Sequence, residues 1–413
     1  MIRLTVNRKL IAFLMLAAPF FLPTYVGLAY LRFDAIVNIW KALSLAGIIL
    51  IYCLRNSFIS KPTLRLLIFH VTILFSTALN GGDIKTVIFQ TAYAMAICML
   101  VDHIFSYRPL QGIELFMRVM ELLIYSNLVA MLAYPLGLYH TTYIGPVLGG
   151  LMTDSSSDRV GWLLGHQSLA GCYSIVAIFI ASLYSDMRND SSKLREVSLI
   201  TASIVHGILS GSAMNKIIII VIVVMIIYVK IKGNFIKIGV KALTGFCFIV
   251  TVAFMKLKIP DGISAFIASA FNRSANLSGR TGIWNLIAEK LSLKPIFGYG
   301  LQYDNVSIIK NTATAITHAH NQYLDILFRG GIVAFIAFVI YMSAINKSVR
   351  ECYKMKVCRI PICCLYCLFA LMITDVYFLR HPIIFLTLAL SAKLGDIGAG
   401  FVTPASALGK NQA

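Results

Sequence analysis

Residues 259–331 read IPDGISAFIASAFNRSANLSGRTGIWNLIAEKLSLKPIFGYGLQYDNVSIIKNTATAITHAHNQYLDILFRGG. On either side of this stretch the sequence is a succession of apolar runs of bilayer-crossing length. From Lys256 to Gly331 the chain leaves that pattern and collects Arg273, Arg280, Trp284, Lys290, Lys294, His318 and His320. It returns to an apolar helix directly after His320-Asn321. A polar insertion of this size between apolar runs reads as a loop outside lipid, and any site of chemistry is expected there.

The composition agrees with that frame. The 413 residues are 59% hydrophobic and only 13% charged, with a mean hydropathy of +0.82. A soluble domain carries about a quarter charged residues, so the chain is read as a polytopic membrane protein. The net charge of +19 would otherwise suggest nucleic acid. The Lys and Arg residues fall mostly in short connections between spans, where a positive-inside bias puts them, so nucleic acid is excluded. Nine cysteines lie in or beside apolar runs without histidines among them, which is the pattern of buried apolar side chains rather than a metal or disulfide framework. The N-terminal MIRLTVNRKLIAFLMLAAPFFL has no convincing small-residue cleavage site and is read as an uncleaved first span.

Twelve spans are expected, near 9–30, 35–54, 64–79, 85–102, 116–135, 166–185, 197–211, 215–230, 238–255, 323–344, 360–379 and 381–397. The fold class is therefore all-α, with residues 1–413 as a single integral membrane domain. Arg55, Lys61 and Arg65; Arg188, Lys193 and Arg195; Lys230, Lys232 and Lys237; and Lys347, Arg350, Lys354, Lys356 and Arg359 all fall on one side. That side is cytoplasmic, with both termini, and the loops 136–165 and 256–322 face outward. The larger loop lies between spans 9 and 10. It carries seven Lys and Arg against Asp261, Glu289 and Asp304, an excess that an anionic substrate at the outer surface accounts for. No internal repeat is visible. Glu114, Arg118 and Glu121, spaced i, i+4 and i+3, read as a mutually satisfied interfacial cluster rather than a relay.

Within the large loop, Ser278-Gly279-Arg280-Thr281 precedes Gly282–Leu293, with Ile283, Ile287 and Leu291 at helical spacing and Pro295 as a stop. A short amphipathic helix on the outer face is expected, capped by Ser278 or Thr281. Arg280 then stands where free N–H groups already favour an anion, and its guanidinium suits a phosphate or diphosphate. Pairing with lipid headgroups is the other reading of the same position. His318-Ala319-His320-Asn321 stands at the re-entry point. A histidine there is either a general base or a satisfied polar residue at a helix start. A metal site is not expected, because no carboxylate or cysteine stands beside the two histidines at ligand spacing.

The pattern SGR–x3–W, then P–x2–G–x–G, then HN–x–YL with a glycine pair, resembles the O-antigen ligase and polymerase family of polytopic, GT-C-like membrane glycosyltransferases. Here it reads Ser278-Gly279-Arg280, Trp284, Pro295, Gly298-Tyr299-Gly300, His320-Asn321, Tyr323-Leu324 and Gly331. An earlier segment, Arg159-Val160-Gly161 through Gly165-His166 to Gly171, is similar to the family's entry into its middle spans. The resemblance implies action on undecaprenyl-diphosphate-linked glycans at the periplasmic face of the inner membrane. It implies that Arg280 holds the donor diphosphate and His320 is the catalytic base. No metal is required if arginines carry the electrostatics, and no cofactor is expected. Arg159 and Lys216 are secondary cationic candidates, Asn321 would orient the acceptor, and Trp284 and Tyr323 either stack on sugar rings or anchor helices.

Two departures matter. Ligases of the family typically carry a further Arg where this chain has Ala213 in Ser210-Gly211-Ser212-Ala213-Met214-Asn215-Lys216, and Ala334 replaces a frequent small glycine. A polymerase of lipid-linked repeat units (O-antigen, capsular or exopolysaccharide) is therefore favoured, with a chain-length regulator as a possible partner. A ligase onto lipid A-core is the alternative, and a polysaccharide-lipid transporter the second. Asp375, Arg380 and His381 are read as an interfacial turn ahead of Pro382.

Overall fold

The computed structural model describes residues 8–23, 25, 31–54, 59–107, 109–143, 157–188, 193–256, 280–302, 318–378 and 381–402. The expected all-α polytopic class holds among them. The helices are α1 (Arg8–Ala17), α2 (Leu31–Leu54), α3 (Lys61–Leu79), α4 (Ile84–Tyr107), α5 (Pro109–Ala133), α6 (Gln167–Arg188), α7 (Leu194–Leu209), α8 (Ala213–Lys232), α9 (Val240–Lys256), α10 (Arg280–Leu293), α11 (Gln322–Glu351), α12 (Arg359–Leu371) and α13 (Pro382–Val402).

Seven of these are long and apolar enough to cross a membrane. The other five expected spans fall on α1, α7, α9, α12 and α13, which are shorter or have only part of their side chains described. In α6, 89% of the apolar window is buried, against 22% in α2 and 28% in α8. That contrast puts α6 at the centre of the bundle and leaves α2 and α8 to face lipid. The nine cysteines are free, and all but Cys53 are buried.

One element departs from the all-α expectation. The 136–165 loop carries a three-stranded antiparallel sheet in the order β1 (Tyr139–Tyr143), β2 (Ser157–Trp162), β3 (Gly165–His166). Thr141 pairs with Arg159 across it. Trp162 anchors the sheet to the bundle, packing on Ala130, Met131 and Ala170 and donating to Tyr134 O (2.9 Å). Periodicity over the helices carried no trace of this short sheet, because its strands are only five, six and two residues long.

The Pro295–Gly300 motif acts as a backbone splint. Helix α11 is broken at Gly331 (φ 61°, ψ −163°), which leaves main-chain groups on both sides of the break without helical partners. The motif supplies them: Tyr299 N donates to Phe328 O (2.8 Å) and Gly300 N to Arg329 O (2.8 Å). In return Ile332 N donates to Pro295 O (2.9 Å) and Val333 N to Ile296 O (3.2 Å). The end of α3 closes the joint, with Ser76 Oγ on Arg329 O (2.7 Å), Leu301 N on Thr77 Oγ1 (2.9 Å) and Asn80 Nδ2 on Gly298 O (3.1 Å).

A Cβ on Gly331 would lie 2.1 Å from Ile296 O, and one on Gly300 would lie 2.5 Å from Thr77 Cα. Those contacts are with backbone, which cannot swing away. Gly331→Ala is expected to destabilise the protein by ~3 kcal/mol or more, from the collision and the positive φ together. Thermal unfolding in detergent checks this, and a melting temperature equal to wild type would contradict the splint.

Of the cluster expected at Glu114, Arg118 and Glu121, the first two pair with each other, while Glu121 takes its partner from Arg195. Arg118 Nη2 donates to Glu114 Oε1 (2.7 Å), and Arg195 of α7 reaches Glu121 through two bonds (2.5 and 2.6 Å). These charges satisfy one another across α5 and α7.

Candidate functional site

Four segments expected on the outer face meet at one end of the bundle. Asn215, in the first turn of α8, donates to Gln167 O at the start of α6 (2.7 Å). Tyr377 Oη donates to Ser168 O (3.2 Å), which brings the turn between α12 and α13 to the same end. That turn in turn holds the re-entry residues: Gln322 N donates to Met372 O (2.9 Å), and Gln322 Oε1 accepts from Tyr377 N (2.9 Å) and Phe378 N (2.6 Å).

The turn from His318 to Asn321 is held from every side. Ala319 N donates to Asp325 Oδ1 (3.1 Å), and Ala319 O accepts from Trp284 Nε1 of α10 (2.8 Å). Asn321 caps α11 by accepting from Tyr323 N (3.0 Å) and Leu324 N (3.1 Å). Its amide nitrogen donates to Thr251 Oγ1 within α9 (3.0 Å) and to Ile373 O (2.8 Å). Asp325 also binds Arg329 Nε at 2.6 Å, with both side chains buried. Such over-determination holds His320 in the left-handed region, φ 48°, the only positive φ of a non-glycine among the described residues.

His320 is buried with 7% exposure. Its ring centroid is 4.0 Å from that of His318. Asp375 Oδ1 lies 3.8 Å from His320 Nδ1 and 3.9 Å from His318 Nε2. The carboxylate that sequence spacing did not offer comes from a turn more than fifty residues on. The interfacial turn read at Asp375, Arg380 and His381 exists, since Thr374 N and His381 N close back on Leu371 O and Tyr377 O. It also delivers Asp375 to the histidine pair. Arg380 lies outside the described residues.

Each anticipated site residue has a definite place. Arg280 is the first residue of α10, which starts two residues before the expected Gly282; its side chain lies outside the described atoms, as do Ser278 and Arg273. Arg159 lies in β2, again with only its backbone described. Lys216 is half-buried in the first turn of α8. Trp284 is fully buried with Ile287 against Ala319, Leu324 and Phe328, so α10 packs onto α11 rather than only lying on lipid. Tyr323 is fully buried as well, its hydroxyl donating to Phe369 O (3.1 Å). Asn321 has no exposure, and both ends of its amide are engaged as described. Sequence reasoning passed over Gln322, Asp325 and Arg329, whose polar character inside an apolar helix was the available signal.

Residues 197–339 match the protein family described as O-Antigen ligase. By this match the segment is similar to O-antigen ligase domains. It spans about a third of the chain, from α7 into α11, and contains Arg280, Trp284, the Pro295–Gly300 splint and His320. Members of the O-antigen ligase and polymerase superfamily are glycosyltransferase-like enzymes. Arg159 and Asp375 lie outside the matched domain. No curated protein matches the chain.

Proposed function

We propose that this chain is a membrane glycosyltransferase that polymerises undecaprenyl-diphosphate-linked oligosaccharide repeat units at the periplasmic face of the inner membrane. The observation that carries the reading is the clamped His318–Asn321 turn, with Asp375 beside its histidines, inside an O-antigen ligase-like domain. The acceptor sugar hydroxyl attacks the anomeric carbon of the donor glycan, the bond from that carbon to the diphosphate oxygen breaks, and undecaprenyl diphosphate leaves. His320 accepts the hydroxyl proton on the ring nitrogen that faces away from Asp375. The carboxylate stabilises the imidazolium so formed.

Arg280, at the N-terminus of α10, balances the charge that grows on the leaving diphosphate, with the helix end adding its N–H groups. Arg159 and Lys216 belong to elements at the same end and serve as further cationic candidates. Trp284, Asn321 and Tyr323 act by positioning the His320 turn. Elongation is favoured over ligation because Ala213 stands where ligases of the family typically have an arginine. Ligation to lipid A-core remains the second reading, carried by the description of the matched family.

The test is the surface polysaccharide ladder of a deletion strain, complemented with wild type or with Arg280 variants. Lipid A-core bearing a single repeat unit in the deletion strain supports polymerisation. Bare core with accumulated lipid-linked polymer means ligation, and a failure to move lipid-linked units across the membrane means transport. Arg280→Ala is expected to lower transfer by about 10²–10³-fold, as loss of one electrostatic donor does. Arg280→Lys should recover only part, because an ammonium lacks the bidentate fork. Full ladders from Arg280→Ala would remove Arg280 from the site.

A further inference from the structure

His318 and His320 come from one clamped turn, and Asp375 from an independent one, yet their ligand atoms all lie within 4.8 Å of one another. We propose that these three residues form a binding site for a divalent transition cation, Zn²⁺ foremost, and that occupancy stops His320 from acting as a base.

Two imidazole nitrogens and one carboxylate oxygen are the donor set of three-ligand zinc sites that keep a fourth position for water. The same set disfavours Mg²⁺ and Ca²⁺, which take oxygen ligands in larger number. Tetrahedral zinc with bonds of about 2.0–2.1 Å needs ligand atoms roughly 3.4 Å apart. The existing separations to Asp375 Oδ1 are 3.8 and 3.9 Å, and the whole set lies within 4.8 Å, so side-chain rotations that draw the three ligand atoms together complete the set.

The frame behind the ligands is already built. Asp325 and Trp284 fix the peptide groups of Ala319 between the two histidines. Asn321 and Gln322 bind the main chain of the 373–378 turn that carries Asp375. Preorganisation of this kind separates a metal site from a chance cluster. The side chains of His318 and Asp375 retain 16% and 15% exposure, which leaves a route in from outside the bundle.

The consequence for His320 follows from imidazole chemistry. A cation held through Nδ1 leaves the remaining ring nitrogen carrying the proton, so the ring can donate but no longer accept. This second half rests on His320 being the base, as proposed above; the binding half does not.

The experiment uses the full chain purified in detergent, with Co²⁺ as a spectroscopic probe and Zn²⁺ in competition with a chromophoric chelator. Wild type is compared with His318→Gln and Asp375→Asn, each of which replaces one ligand with a neutral amide. The expected result is a low-coordinate Co²⁺ visible spectrum without a thiolate charge-transfer band. Each variant should weaken Zn²⁺ binding by more than the roughly 100-fold that loss of an outer-shell partner costs. Zn²⁺ should also raise the unfolding temperature of wild type but not of either variant, and a cooperative zinc-free transition near that of wild type shows that both variants still fold.

Equal affinity in all three proteins, or a thiolate-dominated spectrum, overturns the site. In the transfer assay Zn²⁺ should inhibit wild type, and a chelator should restore it. Zn²⁺ bound without inhibition overturns the second half alone. Full transfer by a His320 variant in the absence of Zn²⁺ overturns the base assignment and leaves the binding result standing.

Discussion

His320→Asn is expected to reduce glycan transfer by about 10²–10⁴-fold, the usual worth of a positioned general base. That corresponds to roughly 3–5 kcal/mol on the barrier. Asparagine is the informative replacement because position 320 sits at φ 48°, a region that Asn tolerates better than Ala. The turn then stays in place, and loss of activity reports on the imidazole rather than on strain. His320→Ala should show the same loss of transfer with an added, smaller loss of stability, since alanine meets the left-handed penalty. The readouts are transfer by purified protein and the polysaccharide ladder of complemented cells, with thermal unfolding alongside. A His320→Asn protein that builds a normal ladder would falsify the base assignment.

Asp325→Ala should have the largest effect on stability, about 3–5 kcal/mol, because it takes the carboxylate away from a buried guanidinium. Arg329 is 3% exposed and bound to Asp325 at 2.6 Å, and the same carboxylate accepts the Ala319 N–H. Removing it costs the ion pair and leaves a buried donor unsatisfied. The double replacement Asp325→Leu with Arg329→Met separates these contributions. Removing both charges should recover most of the stability, as apolar substitutes for buried pairs often do. The Ala319 N–H remains without its acceptor, so transfer should stay well below wild type. Unfolding in detergent and transfer are measured on the same preparations. An Asp325→Ala protein as stable as wild type would mean that the pair does not hold the turn.

Much of the fold was legible because lipid imposes it. A backbone in hydrocarbon has to satisfy its own hydrogen bonds, so long apolar runs become helices whatever their detailed sequence. The runs near 35–54, 64–79 and 166–185 correspond to α2, α3 and α6 within a few residues. The run at 360–379 shows the limit of that argument: α12 stops at Leu371, and the chain turns at Met372–Thr374. Hydropathy continues across that turn because Val376, Tyr377 and Phe378 remain buried in the protein. Burial against helices and burial in lipid select the same residue types.

The site divides in a similar way. Composition and order alone marked the His318–Asn321 turn, the Arg280 helix and its stop at Pro295, since polar and helix-breaking residues stand out against apolar spans, while Gly298, Gly300 and Gly331 were marked by the family resemblance. What these residues do was decided by tertiary contacts. Trp284 and Asn321 carry polar groups suited to sugars, yet both use them on the protein's own backbone. Gly298, Gly300 and Gly331 of the family signature are places where two backbones meet too closely for a Cβ. Asp375 is the clearest case. Its separation from His320 along the chain conceals it, and only the bonds from Asn321 and Gln322 to the 373–378 turn bring its carboxylate beside the imidazoles. Local pattern determines which segments enter lipid, because the solvent acts on each segment separately. Which polar groups face one another depends on how the segments pack, and that is a property of the whole chain.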